Sequence, residues 1–469
     1  MSESESARGP SKGRAPENTP VQNPTSMGSG LFYSLLSNLL APVAGLAIAP
    51  ILSHGLGEAG RGALGGVTSI VLVASSAGAF GMPEALTFFA ARYFRRRRSV
   101  LRLALWTLLS LGALCALAVW GLSPFLSSGH GEEYRTLLLL TAVALVPNML
   151  ILIPRAYAAA TGQWKYQALE QGLFSVLRLV ALVVLLRTGH LTVLNAVLVT
   201  LASPVLGALA YVPVLWRLRT DGRGVPEREE PQSAGEMWSY GSKIWFGSLS
   251  GIILSRIDQT LMIKLTTLEQ QGLYAVAVTI GEVPSVLSNA FRNVVFAADS
   301  ADTGDGAASE YADRRLTTMA RITLILTVLT ALPIAATSFL WVGPVFGAEF
   351  SASIPMLLVL LAAAVVGAPG SVAGAGLSGR GRPDLRSRSM AIGAAFNLAV
   401  LLGLTPVLGG MGAALSTLVG SAVAGNLNIY YLRRHFGFSL RAFYALSSDD
   451  AAMLTKAAGK ILRKTGVSR

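Results

Sequence analysis

Long apolar runs dominate this 469-residue chain and constrain its fold more than any other feature. An α-helix needs about 20 such residues to cross the hydrocarbon core of a bilayer. Hydrophobic residues make up 52% of the chain and charged residues only 13%, whereas about a quarter of a soluble protein is charged. The sequence therefore predicts an all-α polytopic membrane protein. About twelve transmembrane helices are expected, centred near residues 42, 72, 110, 145, 178, 204, 252, 284, 330, 365, 398 and 421.

Polar segments divide the chain into two lobes of six predicted helices each. Residues 1–28 are rich in Ser, Pro and Glu and have no apolar core, so we expect a disordered cytoplasmic tail rather than a signal peptide. The N-terminal lobe is predicted over residues 29–218 and the C-terminal lobe over 239–436, joined by a polar linker at 219–238. Residues 437–469 are expected to form a cytoplasmic tail that includes an amphipathic helix on the membrane surface.

The basic residues lie beside the spans, in alternate loops. The basic loops comprise residues 92–98, 216–223, 379–388 and 431–437. The other loops carry only isolated cations, such as Arg61, Arg135, Arg187 and Lys264. Because Lys and Arg accumulate in cytoplasmic loops, both termini are predicted to be cytoplasmic. This placement explains the net charge of +13 by contact with anionic lipids rather than with nucleic acid.

The two lobes read as copies of one another. Residues 56–70 ("LGEAGRGALGGVTSI") stand between spans 1 and 2 as residues 266–280 ("TTLEQQGLYAVAVTI") stand between spans 7 and 8. "WGLSPF" at 120–125 and "WVGPVF" at 341–346 close spans 3 and 9. Each copy holds an even number of spans, so the copies point the same way and a pseudo-two-fold axis runs along the membrane normal. Two such lobes are typical of a transporter.

Catalytic chemistry is not indicated. The histidines at 54, 130, 190 and 435 stand apart in the sequence, and the single cysteine, Cys115, lies within an apolar run. No phosphate-binding G-x-x-x-x-G-K-[ST] loop occurs. We therefore expect neither an enzyme nor a bound metal or cofactor.

Polar residues inside the spans are the stronger functional signal. Span 8 sets Glu282, Ser285, Asn289 and Arg292 three or four residues apart, which places them on one helix face. The further candidates for a transport path are Arg256, Asp258 and Gln259 of span 7 and Asn38 of span 1. A charged side chain at bilayer depth costs about 2.5–3.5 kcal/mol on insertion scales, so such residues face the bundle interior.

Two interpretations of these charges remain open at this point. Arg256, Asp258 and Glu282 either line the path or pair with one another to hold spans 7 and 8 together. Arg292 either joins the same face or extends to the cytoplasmic interface. Arg178 of span 5 has a less polar sequence setting and is a weaker candidate.

Several motifs resemble those of bacterial polysaccharide flippases. These are "NLAVLLGLTPVLGGMGAALSTLVGS" (397–421), "GPVFGAEFSASIPML" (343–357), "LEQQGLYAVA" (268–277) and "SRIDQTLM" (255–262). That family belongs to the multidrug, oligosaccharidyl-lipid and polysaccharide exporter superfamily, whose two six-helix lobes open alternately to either side of the membrane. The related lipid II flippases carry several arginines in span 1, and span 1 here has none. The resemblance therefore disfavours a peptidoglycan precursor as substrate.

The resemblance implies a flippase at the bacterial plasma membrane that moves a lipid-linked oligosaccharide to the outer leaflet by alternating access. The carrier lipid would be polyprenyl diphosphate, with Arg256 or Arg292 holding the phosphates and Asp258 or Glu282 coupling to a proton, to sodium or to the membrane potential. Glycosyltransferases or a polymerase are possible partners. The alternatives are a cation-coupled multidrug exporter of the same superfamily and a non-transporting scaffold for glycan synthesis.

Overall fold

Helices form almost all of the chain that a computed structural model describes, which comprises residues 24–92, 97–220, 234–286, 289 and 307–445. The N-terminal helices are Pro24–Gly78, Met82–Arg92, Arg97–Ser127, Gly131–Leu150, Leu152–Ala160, Trp164–Arg187, Val193–Gly207 and Val212–Thr220. The C-terminal helices are Ala234–Leu265, Leu268–Gly281, Ala307–Phe346, Ile354–Gly379, Pro383–Leu408, Gly410–Phe436 and Arg441–Tyr444. Short 3₁₀ helices occupy Ala208–Tyr211 and Ala348–Ser353.

These helices supply each predicted span, and we number the spans 1 to 12 in chain order. Spans 1 and 2 are the two parts of Pro24–Gly78, which the non-helical Gly57 (φ 66°) separates. Span 3 is Arg97–Ser127, span 4 is Gly131–Leu150 with Leu152–Ala160, span 5 is Trp164–Arg187, and span 6 begins at Val193. Span 7 is Ala234–Leu265, span 8 begins at Leu268, and spans 9 to 12 are Ala307–Phe346, Ile354–Gly379, Pro383–Leu408 and Gly410–Phe436. By length and hydropathy alone, 7 helices among the described residues could cross a membrane, or 8 if one bent pair counts as a single span.

Two helices begin inside segments that were predicted to be a tail and a linker. The first helix begins at Pro24, inside the predicted tail, because proline fits the unbonded first turn of a helix. Span 7 begins at Ala234, inside the predicted linker. Residues 221–233, the Arg95–Arg96 part of the basic cluster and the proposed amphipathic helix beyond residue 446 lie outside the described residues.

Span 2 bends by 50° between Gly78 and Met82. Phe80 there has a φ of 47°, a left-handed conformation that residues other than glycine rarely adopt. The indole N–H of Trp245 in span 7 donates to the Ala77 carbonyl oxygen at 2.9 Å and so satisfies a backbone group at the break. The Phe80 ring packs between Trp238 and Trp245, with centroids 5.1 and 4.8 Å away.

Each lobe has its own apolar core. In the N-terminal lobe, Leu52, Leu64 and Leu138 are fully buried, and a second cluster surrounds Met149 nearer the basic loops. In the C-terminal lobe, the larger cluster surrounds Tyr274. The apolar side chains that remain exposed, such as Trp106 at 63%, lie on faces that suit contact with lipid. Each cluster also takes in residues of the other lobe, such as Ile263 in the first and Ala49 in the last, so the two lobes are packed against each other.

The lobes meet through glycines on spans 2 and 8, on the side away from the basic loops, which we call the outer side after the loop-charge prediction. A Cβ atom on Gly62 would lie 1.9 Å from the Leu268 carbonyl oxygen, and one on Gly272 would lie 2.0 Å from the Glu58 carbonyl oxygen. Gly62 and Gly272 are 210 residues apart, as are Glu58 and Leu268. Each contact is thus the repeat of the other, which places the predicted pseudo-two-fold axis between these two helices.

Candidate functional site

Arg256 and Glu282 form an ion pair between spans 7 and 8. The Arg256 Nη2 atom lies 2.8 Å from Glu282 Oε1, and the two side chains are 27% and 49% exposed. Glu282 follows the last turn of its helix, and Pro284 two residues on removes a backbone donor, so the helix is loosened there. A half-exposed ion pair at this depth suits a polar inter-lobe space rather than lipid. Because the pair is self-neutralised, Arg256 is a weak anchor for phosphate.

Asp258 does not join that pair. Its side chain is 3% exposed and turns into the C-terminal lobe, where it accepts hydrogen bonds from the Tyr274 hydroxyl, from the Thr417 hydroxyl at 2.9 Å and from the Gln259 backbone N–H at 2.7 Å. A buried carboxylate requires such partners. Three spans, 7, 8 and 12, therefore converge on one carboxylate.

Asn397 of span 11 lies beside this network. A Cβ atom on Gly420 of span 12 would touch the Cβ atom of Asn397 at 2.7 Å and the side chain of Leu254 at 2.8 Å. Leu254 is one helical turn from Asp258, and Gly420 is about one turn from Thr417. Asn397 is fully buried, and neither its Oδ1 nor its Nδ2 atom has a hydrogen-bond partner among the described residues. Carboxylate, amide and hydroxyl oxygens in adjacent turns are ligands suited to a hard cation.

The other predicted path residues lie in varied settings. The Gln259 carbonyl oxygen accepts from Gln271 Nε2 at 2.8 Å, and the Gln259 side-chain nitrogen is buried without a partner in the described part of the chain. Ser285 is half-buried and Asn289 is exposed, on the same stretch of span 8. Asn38 lies in the helix of span 1, in a stretch for which only the backbone is described, and Arg292 lies outside the described residues.

The N-terminal lobe holds two cations that sequence reasoning ranked low. Arg61, predicted to be a loop cation, is 9% exposed on span 2 and donates from Nη2 to Thr279 Oγ1 of span 8 at 3.3 Å. Its charge interacts with that of Arg178 on span 5. The Nε atoms of both are buried without an acceptor, and neither has a carboxylate partner within the described residues. The sequence signal that could have identified Arg61 is its position at the edge of the apolar run of span 2, rather than within a polar loop.

Arg155 and Glu170 form a separate ion pair inside this lobe. Arg155 Nη2 of span 4 lies 2.8 Å from Glu170 Oε1 of span 5, and the Glu170 side chain is 1% exposed. This pair is neutral. Arg61 and Arg178 are therefore cations of the N-terminal lobe for which no carboxylate partner is described, whereas Asp258 is a buried carboxylate of the C-terminal lobe whose described hydrogen-bond partners are uncharged.

The arrangement of two six-helix lobes defines a class of membrane transporters. The lipid II flippase MurJ in its inward closed conformation superposes with a TM-score of 0.68 at 10% identity, covering 91% of each chain. An inward-facing multidrug resistance MATE family transporter of the MOP superfamily superposes with a TM-score of 0.63 at 17% identity, covering 87% of this chain and 94% of that one. The predicted fold is thereby confirmed.

The family follows from the sequence itself. The profile of the polysaccharide biosynthesis protein family matches residues 27–296, which is more than half of the chain. The chain belongs to this family. A search of curated proteins found no match. The chain thus combines membership of this family with a fold that it shares with solved membrane transporters and a flippase.

Proposed function

We propose that the protein moves a lipid-linked oligosaccharide, carried on polyprenyl diphosphate, from the cytoplasmic to the outer leaflet of a bacterial plasma membrane. Membership of the polysaccharide biosynthesis protein family supports this substrate class. The structural likeness to a lipid II flippase supports the flipping of a lipid. In this proposal the termini are cytoplasmic, and glycosyltransferases or a polymerase supply and consume the substrate.

The observation that carries the proposal is the pair of uncompensated cations in the N-terminal lobe. Arg61 and Arg178 have no carboxylate partner among the described residues, and each guanidinium offers five N–H donors. Arginine binds phosphate oxygens through two parallel hydrogen bonds. These residues therefore replace Arg256 as the proposed diphosphate anchor, because Arg256 is neutralised by Glu282.

A polar space between the lobes addresses the main physical barrier to such transport. Each sugar hydroxyl that loses water without gaining a partner costs about 4–8 kcal/mol in an alkane-like medium. The exposed side chain of Glu282 and the half-buried side chains of Ser285 and Arg256 provide partners along spans 7 and 8. The headgroup would then cross the bilayer while its polyprenyl chain stays in lipid.

Asp258 is proposed as the coupling site. Its carboxylate, the Thr417 hydroxyl and the Asn397 amide provide oxygens in adjacent turns of three helices, and a proton or a sodium ion would compensate the buried charge. Occupancy of the site would alter how spans 7, 11 and 12 pack, and so link an ion gradient to opening of the lobes. The membrane potential can add to this drive, because an anion gains about 2.3 kcal/mol per charge per 100 mV on leaving a negative interior.

The test is translocation of a fluorescent polyprenyl-diphosphate oligosaccharide in proteoliposomes. We expect wild type to move the headgroup and the Arg61→Gln, Arg178→Gln double variant to lose at least tenfold in rate. Arg187→Gln is the matched control, because Arg187 is exposed at the end of the same span as Arg178. Its rate should equal that of wild type.

The same assay separates the alternatives. Export of cationic dyes, without any movement of the oligosaccharide, would favour the multidrug exporter. If correctly inserted protein moved neither, and loss of the cations had no effect on glycan synthesis in cells, the scaffold would be favoured. Equal oligosaccharide transport by wild type and by the double variant would remove Arg61 and Arg178 from the proposed path.

A further inference from the structure

The C-terminal lobe reaches across to span 3 at the outer side. Lys264, in the last turn of span 7, donates from Nζ to the Phe125 carbonyl oxygen at 3.1 Å and also contacts the Ser128 hydroxyl. The same ammonium lies 4.6 Å from the centroid of the Phe125 ring. Phe125 belongs to the last turn of span 3, and its carbonyl oxygen, which has no partner within the helix, also accepts from the Ser128 hydroxyl at 2.8 Å. Lys264 thus caps a helix of the opposite lobe.

The N-terminal lobe makes an equivalent contact with span 9. His54, three residues before the Gly57 break that ends span 1, places Nε2 3.0 Å from the Val345 carbonyl oxygen. A carbonyl can only accept, so this ring nitrogen carries the hydrogen. Val345 lies in the last turn of span 9, which ends at Phe346. His54 therefore also caps a helix of the opposite lobe.

The internal repeat relates the two contacts. His54 and Lys264 are 210 residues apart, the separation that relates the two axial glycines. "WGLSPF" and "WVGPVF" make Phe125 the equivalent of Phe346, one residue from Val345. Each contact joins the first span of one lobe to the third span of the other. Chance placement of surface side chains does not predict this correspondence.

Both contacts can be made and broken at low cost. His54 and Val345 are exposed, and Lys264 is half-buried, so water replaces each partner when the lobes separate. The Lys264 contact also favours the closed arrangement, because a cation is stabilised at the carbonyl end of a helix. Contacts with these properties suit a transition that repeats in every transport cycle.

We propose that His54 and Lys264 are a symmetry-related pair of latches that hold the outer side closed, one on each flank of the pseudo-two-fold axis. This proposal depends on the proposed function only because it assumes that the lobes open and close at the outer side. Loss of one latch shifts the protein toward the outward-open state, and loss of both shifts it further.

Distances between spin labels on the two lobes test the proposal in full-length protein carrying Cys115→Ser. Thr188→Cys and Ala352→Cys place labels at exposed outer positions of opposite lobes, and Lys165→Cys and Arg388→Cys do so near the basic loops. We expect His54→Leu and Lys264→Met each to raise the ratio of long to short outer distances by about threefold to tenfold. The double variant should raise this ratio by about the product of the two single effects. The distance between the labels near the basic loops, at positions 165 and 388, should become shorter.

The matched controls substitute the same types of side chain at positions that form no latch, or keep the charge of a latch residue. His190→Leu and Arg187→Met alter exposed outer residues for which no inter-lobe contact is described, and Lys264→Arg keeps the cation. All three should give the wild-type distribution. The proposal is overturned if the double variant, eluting and melting like wild type, also gives that distribution, or if the controls shift it equally. Failure of oligosaccharide transport would contradict the proposed function and leave these distances unchanged.

Discussion

Charged side chains in the spans differ in how completely their charge is compensated. Glu170 is 1% exposed and depends on Arg155 for an opposite charge, whereas the Glu132–Arg135 pair at the outer side is 85% and 43% exposed. Removing one partner of a buried pair leaves the other charge buried without compensation, which destabilises the fold. In an exposed pair, water solvates the charge that remains, so the cost is small. The Arg155–Glu170 pair should therefore contribute to the packing of spans 4 and 5.

Removal of Arg155 should destabilise the N-terminal lobe. Arg155→Ala leaves Glu170 ionised and buried, which costs about 3–5 kcal/mol, so the detergent-solubilised protein should melt at a clearly lower temperature. Arg155→Met combined with Glu170→Gln removes both charges and should recover most of that loss. Arg135→Ala is the control and should change the melting temperature little. An Arg155→Ala protein that melts like wild type would show that Glu170 finds another partner.

Glu58 should make the outer side sensitive to pH. Partial burial, and then the charges of Glu349 and Glu269 on the other lobe, raise the pKa of Glu58 above its ordinary value. A carboxyl with a raised pKa in the closed state binds its proton more tightly there than after opening. Closure is therefore favoured at low pH, and this contribution is lost as the pH rises through the raised pKa.

Outer spin-label distances measured between pH 4 and pH 8 check this expectation, a range that brackets the ordinary glutamate pKa of about 4.3. The long-distance population should grow as the pH rises in wild type. Glu58→Gln should hold the closed distribution throughout and flatten the profile. A profile unchanged by Glu58→Gln would assign the pH response to another group.

Spans 2 and 8 depend on the absence of side chains where they cross. Gly62 and Gly272 each face a backbone carbonyl at a distance that no Cβ atom tolerates, and a backbone carbonyl cannot move aside as a side chain can. Close approach of the two helices therefore requires glycine at both positions.

Gly62→Ala and Gly272→Ala should each force the outer ends of spans 2 and 8 apart. We expect longer outer label distances and slower transport, because closure is incomplete. Gly45→Ala is the matched control, since a Cβ atom there meets nothing within 4 Å, and alanine favours a helix over glycine. Wild-type distances in both axial variants would contradict the crossing described above.

Elements were more predictable from the sequence than contacts. Apolar runs of sufficient length located the spans, and the alignment of residues 56–70 with 266–280 made Gly62 and Gly272 equivalent positions, although their shared contact was not predicted. Neither Tyr274 nor Thr417 was predicted as a partner of Asp258, because Thr417 is 159 residues away and periodicity describes only one helix at a time. Arg61 was predicted as a loop residue because hydropathy does not register that a single glycine, Gly57, forms the turn.

At the scale of the whole molecule, Arg61 and Arg178 lie in one lobe and the buried carboxylate of Asp258 lies in the other. Under the proposed function, the two cations would bind the anionic substrate and Asp258 would bind the coupling cation. If both sites respond to one motion of the lobes, occupancy of one alters the affinity of the other. Substrate and ion would then be coupled although separate helices hold them.

Asp258→Asn should uncouple transport from the ion gradient. The amide keeps the shape of the side chain and the hydrogen bonds to Tyr274 and Thr417 but has no charge to compensate. We expect oligosaccharide movement down its own gradient to persist, and its acceleration by a sodium or proton gradient to disappear. Gln259→Glu would not restore that acceleration, because the Gln259 side chain lies outside the hydrogen-bond network of Asp258. Continued acceleration in Asp258→Asn would place the coupling site elsewhere.

The reciprocal contact of Gly62 with residue 268 and of Gly272 with residue 58 has the form of an interface between two identical subunits, in which the same patch meets itself across a two-fold axis. A single six-helix ancestor with a glycine at this position would have been able to dimerise through it before its gene was duplicated and fused. Residues 1–220 and 234–469, produced as separate chains in one membrane, should accordingly associate through the contact between spans 2 and 8.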